Sequence, residues 1–243
     1  KSGEVFSSVT EAGGMYQPVF AVGSLEGAVY EITAAEDIYT LDGTLQASKG
    51  EVVDTITTGA DGTATSKELY LGSYEVKEIT APYGMVLNDE IHSVELIYAG
   101  QEVAVTETST SFYNERQKVE IDLTKSLEVD EDYGVGNNGE IFDVSFGLYA
   151  AEELTAADGT TIPADGLIEV ITLDENGHGK AVSDLPMGSY YVQEINTNAA
   201  YLKNETKYPV VFEYAGQETA VVSITANEGE AIENDLIYGA VSG

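Results

Sequence analysis

Gly72-Ser73-Tyr74-Glu75-Val76-Lys77-Glu78 is written a second time in this chain, as Gly188-Ser189-Tyr190-Tyr191-Val192-Gln193-Glu194. The offset is 194 − 78 = 116 residues. Both stretches read as short strands, and alternate side chains of a strand share a face. Tyr74 and Val76 therefore point the same way as Glu78, and Tyr190 and Val192 the same way as Glu194. Each time an apolar face ends in a carboxylate. Burying a carboxylate is costly unless it is neutral or well partnered. Two of them at matching places of a repeat call for a chemical reason.

The repeat extends outward from these segments. Ala34-Ala35-Glu36-Asp37 matches Ala150-Ala151-Glu152-Glu153, Asn88 matches Asn204, and Tyr98-Ala99-Gly100-Gln101-Glu102 matches Tyr214-Ala215-Gly216-Gln217-Glu218, all at the offset of 116. So long a period marks a duplicated domain rather than a solenoid unit. Residues 52–58 and 168–173 are rich in Val, Ile and Thr and run into turn signals, Gly59-Ala60-Asp61-Gly62 and Asp174-Glu175-Asn176-Gly177. Further strands are expected near 92–98, 103–108, 208–214 and 219–225, and Ala-rich patches near 33–37 and 150–157 suggest a turn of helix. The pattern predicts an all-β chain of two tandem antiparallel β-sandwiches. The expected domains are residues 1–117 and 118–243, with only Glu115 to Lys118 between the last strand of one and the first of the other. A connection that short suggests limited interdomain freedom.

Composition narrows the function classes. The chain has 243 residues, 43 % of them hydrophobic, which is enough for real cores. Ten Lys+Arg stand against 43 Asp+Glu, a formal net charge of −33. Such a surface repels phosphate backbones and anionic membranes, so neither nucleic acid nor membrane is an expected partner. With no cysteine, disulfides, thiol catalysis and cysteine-based zinc sites are excluded. No apolar run approaches the roughly 18 residues of a membrane span. The abrupt ends read as those of a fragment of a longer protein.

The chemistry is carried by a lysine, a glutamate and an asparagine. Val119, Ile121 and Leu123 alternate on one face with Lys125 next, and Ile232, Leu236 and Tyr238 are read as sharing a face near Asn234. If the first and last strands pair, about 4.8 Å apart, the Lys125 amine reaches the Asn234 amide. An apolar setting favours the neutral forms of an amine and a carboxylic acid together. A neutral amine is a nucleophile, and a protonated glutamate can hydrogen-bond and polarise the amide carbonyl and move protons as ammonia leaves. Burial supplies the effective concentration. The product is a Lys–Asn isopeptide bond, made once by the protein on itself. Copy one offers Glu78 and Asn114, and Lys1 is its candidate lysine because Lys1-Ser2-Gly3-Glu4-Val5 resembles Lys125-Ser126-Leu127-Glu128-Val129. Singly, each polar residue has an ordinary explanation as a snorkelling lysine, a strand end or a turn ligand; the triple is better explained by the cross-link. The acidic stretch from Asp130 to Glu140 does not have EF-hand spacing and reads as a solvated loop, and His92 and His178 lie far apart, so no metal or cofactor is expected. The sixteen tyrosines, with no tryptophan, read mostly as core and sheet packing.

The paired GxYxVxE segments, first-strand lysine and last-strand asparagine resemble the B-type domains of Gram-positive collagen adhesins, also called SpaA-type or prealbumin-like pilin domains. The resemblance spans essentially the whole chain. It implies inverse immunoglobulin-like sandwiches serving as an extracellular stalk, held to the cell wall through parts outside this sequence. It also implies Lys125–Asn234 and Lys1–Asn114 isopeptides promoted by Glu194 and Glu78. Expected partners are neighbouring domains of the same surface protein. The expected state is a monomer, with self-cross-linking and no enzymatic turnover. The alternative is an adhesin module contacting host protein or glycan. No sorting signal follows Gly243 and no pilin motif with a polymerising lysine is evident, so shaft polymerisation is not implied.

Overall fold

The computed structural model describes residues 1–239. The chain forms two compact units: Lys1–Val5 with Ala21–Gln117 and Ala215–Ala220, and Phe6–Phe20 with Lys118–Tyr214 and the chain from Val221 on.

In the first unit the strands are β1 (Ser2–Ala12), β2 (Met15–Ser24), β3 (Val29–Ala34), β4 (Ile38–Tyr39), β5 (Leu45–Ala47), β6 (Val52–Thr57), β7 (Gly72–Thr80), β8 (Ile91–Leu96) and β9 (Tyr113–Asn114), with the Phe6–Phe20 part of β1 and β2 belonging to the second unit. One sheet has the order β6-β3-β7-β8, all antiparallel, and another the order β2-β1-β9. β7 carries the repeated segment and shows the expected alternation: Tyr74, Val76 and Glu78 are buried, while Glu75 and Lys77 are not. β1 and β9 run parallel with Gly3 opposite Asn114.

The second unit contains β10 (Lys118–Leu127), β11 (Ser145–Ala150), β12 (Leu154–Thr155), β13 (Thr161–Ile162), β14 (Leu167–Thr172), β15 (His178–Ala181), β16 (Gly188–Asn196), β17 (Tyr208–Phe212), β18 (Val221–Thr225) and β19 (Ile232–Asn234). Its sheet β14-β11-β16-β17 has the same relative order as β6-β3-β7-β8. Facing it is β15-β10-β18, with β19 also paired to β10. Ile121 and Leu123 of β10 meet Phe146, Leu148, Ile171, Val192, Val210 and Phe212 of the opposite sheet in one continuous core. Pro209 sits on β17, an edge strand of its sheet, where a missing N–H costs no ladder bond. Phe6, Val9 and Tyr16 of the Phe6–Phe20 hairpin pack on the same core. This hairpin lies in the stretch where copy one is eight residues longer, since Lys1 to Glu36 spans 35 positions and Lys125 to Glu152 spans 27.

Three expectations differ from the structure. The Ala-rich patches form no helix: Ala34 and Ala150 end β3 and β11, and short bends lead from them to β4 and β12. Tyr238 does not join Ile232 and Leu236 in the core but is exposed, its hydroxyl donating to Glu128 Oε1 at 2.8 Å. Residues 103–108 form no strand, although the offset counterparts of 105–108 belong to β18. β18 is a strand because it pairs in parallel with Lys118–Asp122 of β10. No described residue offers the 103–108 segment such a partner, and strand propensity without a ladder is too weak to fix one.

Candidate functional site

The first and last strands of each copy pair in the same register. In unit two Lys125 lies opposite Ile232 and Leu127 opposite Asn234. In unit one Gly3 lies opposite Asn114, which puts Lys1 two positions before the residue paired with the asparagine, as Lys125 is. Two residues is one strand period, so lysine and asparagine share the inner face. Opposite each glutamate stands an aromatic residue of the neighbouring strand, Tyr30 for Glu78 and Phe146 for Glu194.

A turn glycine fixes each lysine backbone. The Lys125 amide donates to Gly177 O at 2.8 Å, and the Lys1 amino group to Gly62 O at 2.6 Å. Both glycines have positive φ, +78° and +74°. A Cβ on either would collide with the carbonyl oxygen of the lysine it supports. Only glycine satisfies both demands.

In unit one the Glu78 carboxylate bridges the other two groups. Lys1 Nζ is 3.1 Å from Oε1, and Asn114 Nδ2 donates to Oε2 at 2.7 Å. Asn114 Nδ2 also donates to Val86 O at 2.5 Å, and a carbonyl can only accept, so the amide nitrogen faces the glutamate. The Tyr30 hydroxyl lies 3.4 Å from Oε1 and the Asn88 amide donates to Oε2 at 2.8 Å. In unit two Asn234 Nδ2 donates to both Glu194 oxygens, at 3.0 and 2.9 Å, and to Thr197 Oγ1 at 2.9 Å. Lys125 Nζ stands 3.9 Å from Glu194 Oε2 and donates to Ser126 O and Ile232 O at 2.9 and 2.8 Å. The five site residues other than Lys1 are at most 2 % exposed, and the Lys1 side chain is 1 % exposed.

Burial governs the electrostatics. Desolvation pushes the Lys125 amine down to about 8, against the opposing pull of Glu194. The Lys1 side-chain amine is lowered for the same reason, with Glu78 again opposing. Burial, then the charge and hydrogen bond of Glu78, push the Tyr30 phenol well up, so it stays a donor.

The geometry differs from the sequence reading at one point. There the glutamic acid meets the amide carbonyl; here it meets the amide nitrogen in both units. Among the described residues, Asn114 Oδ1 and Asn234 Oδ1 are buried without a hydrogen-bond donor. Asn88 and Asn204 have a role that their place in the repeat alone does not reveal. Each donates its backbone N–H to the glutamate and its side-chain amide to the last strand, Asn88 to Tyr113 O at 2.9 Å and Asn204 to Glu233 O at 3.3 Å. Their signal was present, since they match at the repeat offset, but a matched polar loop residue does not announce its partners.

Among solved structures, the chain is similar to the Bacillus anthracis TIE protein, with 20 % identity over 92 % of this chain and a TM-score of 0.53. It spans 38 % of that chain. It is also similar to the minor pilin GBS52 of Streptococcus agalactiae, with 19 % identity, 100 % of this chain and 98 % of that one covered, and a TM-score of 0.34. The C-terminal fragment of the pilus adhesin SpaC from Lactobacillus rhamnosus GG matches at 14 % identity, over 89 % of this chain and 91 % of that one, with a TM-score of 0.43. No curated protein sequence matches the chain. Among the described residues no helix is long and apolar enough to cross a membrane. The SpaA family, described as a prealbumin-like fold domain, matches residues 21–111 and again residues 132–230. The chain therefore belongs to the SpaA prealbumin-like family and carries two of its all-β domains.

Proposed function

We propose that this chain is a self-cross-linked stalk or spacer of a Gram-positive cell-surface protein, cell-wall attached through parts outside this sequence. Its two domains would divide near Gln117 and act beside neighbouring domains of the same protein. The observation that carries the reading is the buried contact of lysine, glutamate and asparagine across the first and last strands, present twice in one chain.

The reaction follows from the groups in contact. The lysine ammonium passes a proton to the glutamate carboxylate, leaving a neutral pair that suits a dry site. Lysine Nζ then attacks asparagine Cγ, forming the new C–N bond. The glutamic acid delivers its proton to Nδ2, the atom it faces, and the Cγ–Nδ2 bond breaks. The departing nitrogen leaves as ammonia, and glutamate takes the surplus proton from Nζ. One lysine ammonium, one carboxylate and one primary amide become one secondary amide, one ammonia and one carboxylic acid. With no donor on Oδ1, the developing oxyanion is poorly stabilised, which slows turnover. A bond made once per molecule tolerates a slow step.

Intact mass tests this. A deficit of two ammonia molecules against the mass calculated from the sequence is expected, with peptide mapping joining Lys1 to Asn114 and Lys125 to Asn234. A full calculated mass overturns the proposal.

The pH dependence offers a second check. In an Asn234→Ala protein Lys125 stays a free amine, with a folded pKa of about 8 against about 10.4 unfolded. Between those values the unfolded chain binds more protons, so stability rises with pH from about 8 to about 10.4. Below about 8 the penalty of burying the cation is fully present. A gain on the order of 3 kcal/mol across this window is expected in urea unfolding. The parent should lack it, because an amide nitrogen does not titrate there.

A further inference from the structure

Unit one includes a short piece of the second repeat. Ala215–Ala220, between β17 and β18 in the sequence, packs with Ala21–Gln117. The Gln217 side chain accepts from the Ala81 backbone N–H at 2.9 Å and donates to Ile79 O at 3.4 Å. Its backbone oxygen accepts from the Leu87 N–H at 2.9 Å. Gln117, 1 % exposed, holds the segment itself. Its Nε2 donates to Gly216 O at 3.1 Å and Thr219 O at 2.6 Å, and its Oε1 accepts from the Ala215 N–H at 2.8 Å.

The groups that Gln217 holds flank the unit-one site. Ile79 follows Glu78 on β7, so Gln217 fixes the end of the strand that carries the carboxylate. Leu87 stands between Val86, whose carbonyl oxygen accepts from Asn114 Nδ2, and Asn88, whose N–H donates to Glu78 Oε2. These residues lie in the connection between β7 and β8, outside both strands, so tethers of this kind decide where Val86 and Asn88 stand. The Val86 N–H ties the connection to Glu115, next to Asn114, and Gln217 ties it to the end of β7.

Unit two meets the same need differently. The counterpart of Ala81 at the repeat offset is Thr197, whose Oγ1 accepts from Asn234 Nδ2 at 2.9 Å. Alanine has no hydroxyl, and in unit one the second acceptor for the asparagine is the Val86 carbonyl. A hydroxyl rooted just beyond the glutamate's strand is placed by that strand. A loop carbonyl is placed only if the loop is held.

We propose that Gln217 is a positioning residue for the unit-one cross-link, so that the Lys1–Asn114 reaction depends on a segment supplied by the second repeat while the Lys125–Asn234 reaction does not. The inference rests on the cross-linking function proposed above. Gln217 touches none of the reacting atoms and acts through Ile79, Ala81 and Leu87. Amide formation needs its reactants at contact and aligned, so a small displacement of the glutamate or the asparagine costs rate steeply.

The test follows newly synthesised chains over time for loss of ammonia, with peptide mapping to assign each bond. In a Gln217→Ala chain the Lys1–Asn114 bond should form about tenfold more slowly than in the parent, or slower still, and the Lys125–Asn234 bond at the parental rate. Gln217→Glu keeps an acceptor for the Ala81 N–H and should recover most of the parental rate. Amide hydrogen exchange separates positioning from folding, on chains that all carry Asn114→Ala and so cannot form the unit-one bond. Adding Gln217→Ala there should speed exchange at Ala81 and Leu87 and leave β3 and β6 unchanged. Three results would overturn the proposal: parental rates at both bonds in Gln217→Ala, a Gln217→Glu chain as slow as Gln217→Ala, or faster exchange throughout β3 and β6, which would make Gln217 a general support of the fold. A parent chain that forms no Lys1–Asn114 bond would instead remove the unit-one reaction from the proposed function, and this inference with it.

Discussion

A protein carrying Glu78→Gln and Glu194→Gln is expected to show the full mass calculated from its sequence and to unfold far more easily than the parent. Glutamine keeps the size of the side chain and its contact with asparagine, but it cannot accept the lysine proton and pass it to Nδ2. Both cross-links should therefore be absent while the fold persists. The bonds would close loops spanning 234 − 125 = 109 and 114 − 1 = 113 positions. By the loop-entropy reasoning used for disulfides, losing one closure of this size costs about 4–5 kcal/mol. Replacing the carboxylate also leaves a buried lysine without its counter-ion, which destabilises further. Single variants separate the units: Glu194→Gln should restore one ammonia of mass and leave the Lys1–Asn114 peptide joined. If the double variant kept the mass deficit, glutamate would not be the proton carrier.

Leu148→Ala is expected to destabilise unit two by about 3–5 kcal/mol, while Leu96→Ala in unit one should cost only about 1–2 kcal/mol. The chemistry of the two changes is the same and both side chains lie on an inner sheet face. Leu148 is 0 % exposed within a closed core, so its removal leaves a cavity that the rigid neighbours cannot fill. Leu96 lines a groove of unit one and is partly exposed, so fewer contacts are lost and water is near. Amide exchange of the strands around each site gives the two costs separately. Equal losses would mean that unit one is as tightly closed as unit two.

Much of this architecture was legible in residue order. β7 and β16 were readable because a two-residue period places Tyr74, Val76 and Glu78, or Tyr190, Val192 and Glu194, on one face regardless of what lies opposite. The turns at Gly62 and Gly177 were readable because the positive φ they require leaves few choices of residue. The six site residues could be nominated from their types and their places in the repeat. Their partners could not. Which oxygen or nitrogen of an amide faces a carboxylate depends on a third group, and Val86 O is brought to Asn114 by the fold alone. The roles of Asn88 and Asn204 likewise exist only once a loop passes between the glutamate and the last strand.

By itself the sequence determined the strand periodicity, the duplication and the chemical identity of the six polar residues, because all three are properties of local order and residue type. Only the tertiary structure decided the parallel pairing of first and last strands, the orientation of the amides and the fate of residues 103–108. Those depend on partners distant in the chain. The same strand-forming pattern is a ladder beside Lys118–Asp122 and irregular where no described strand lies alongside.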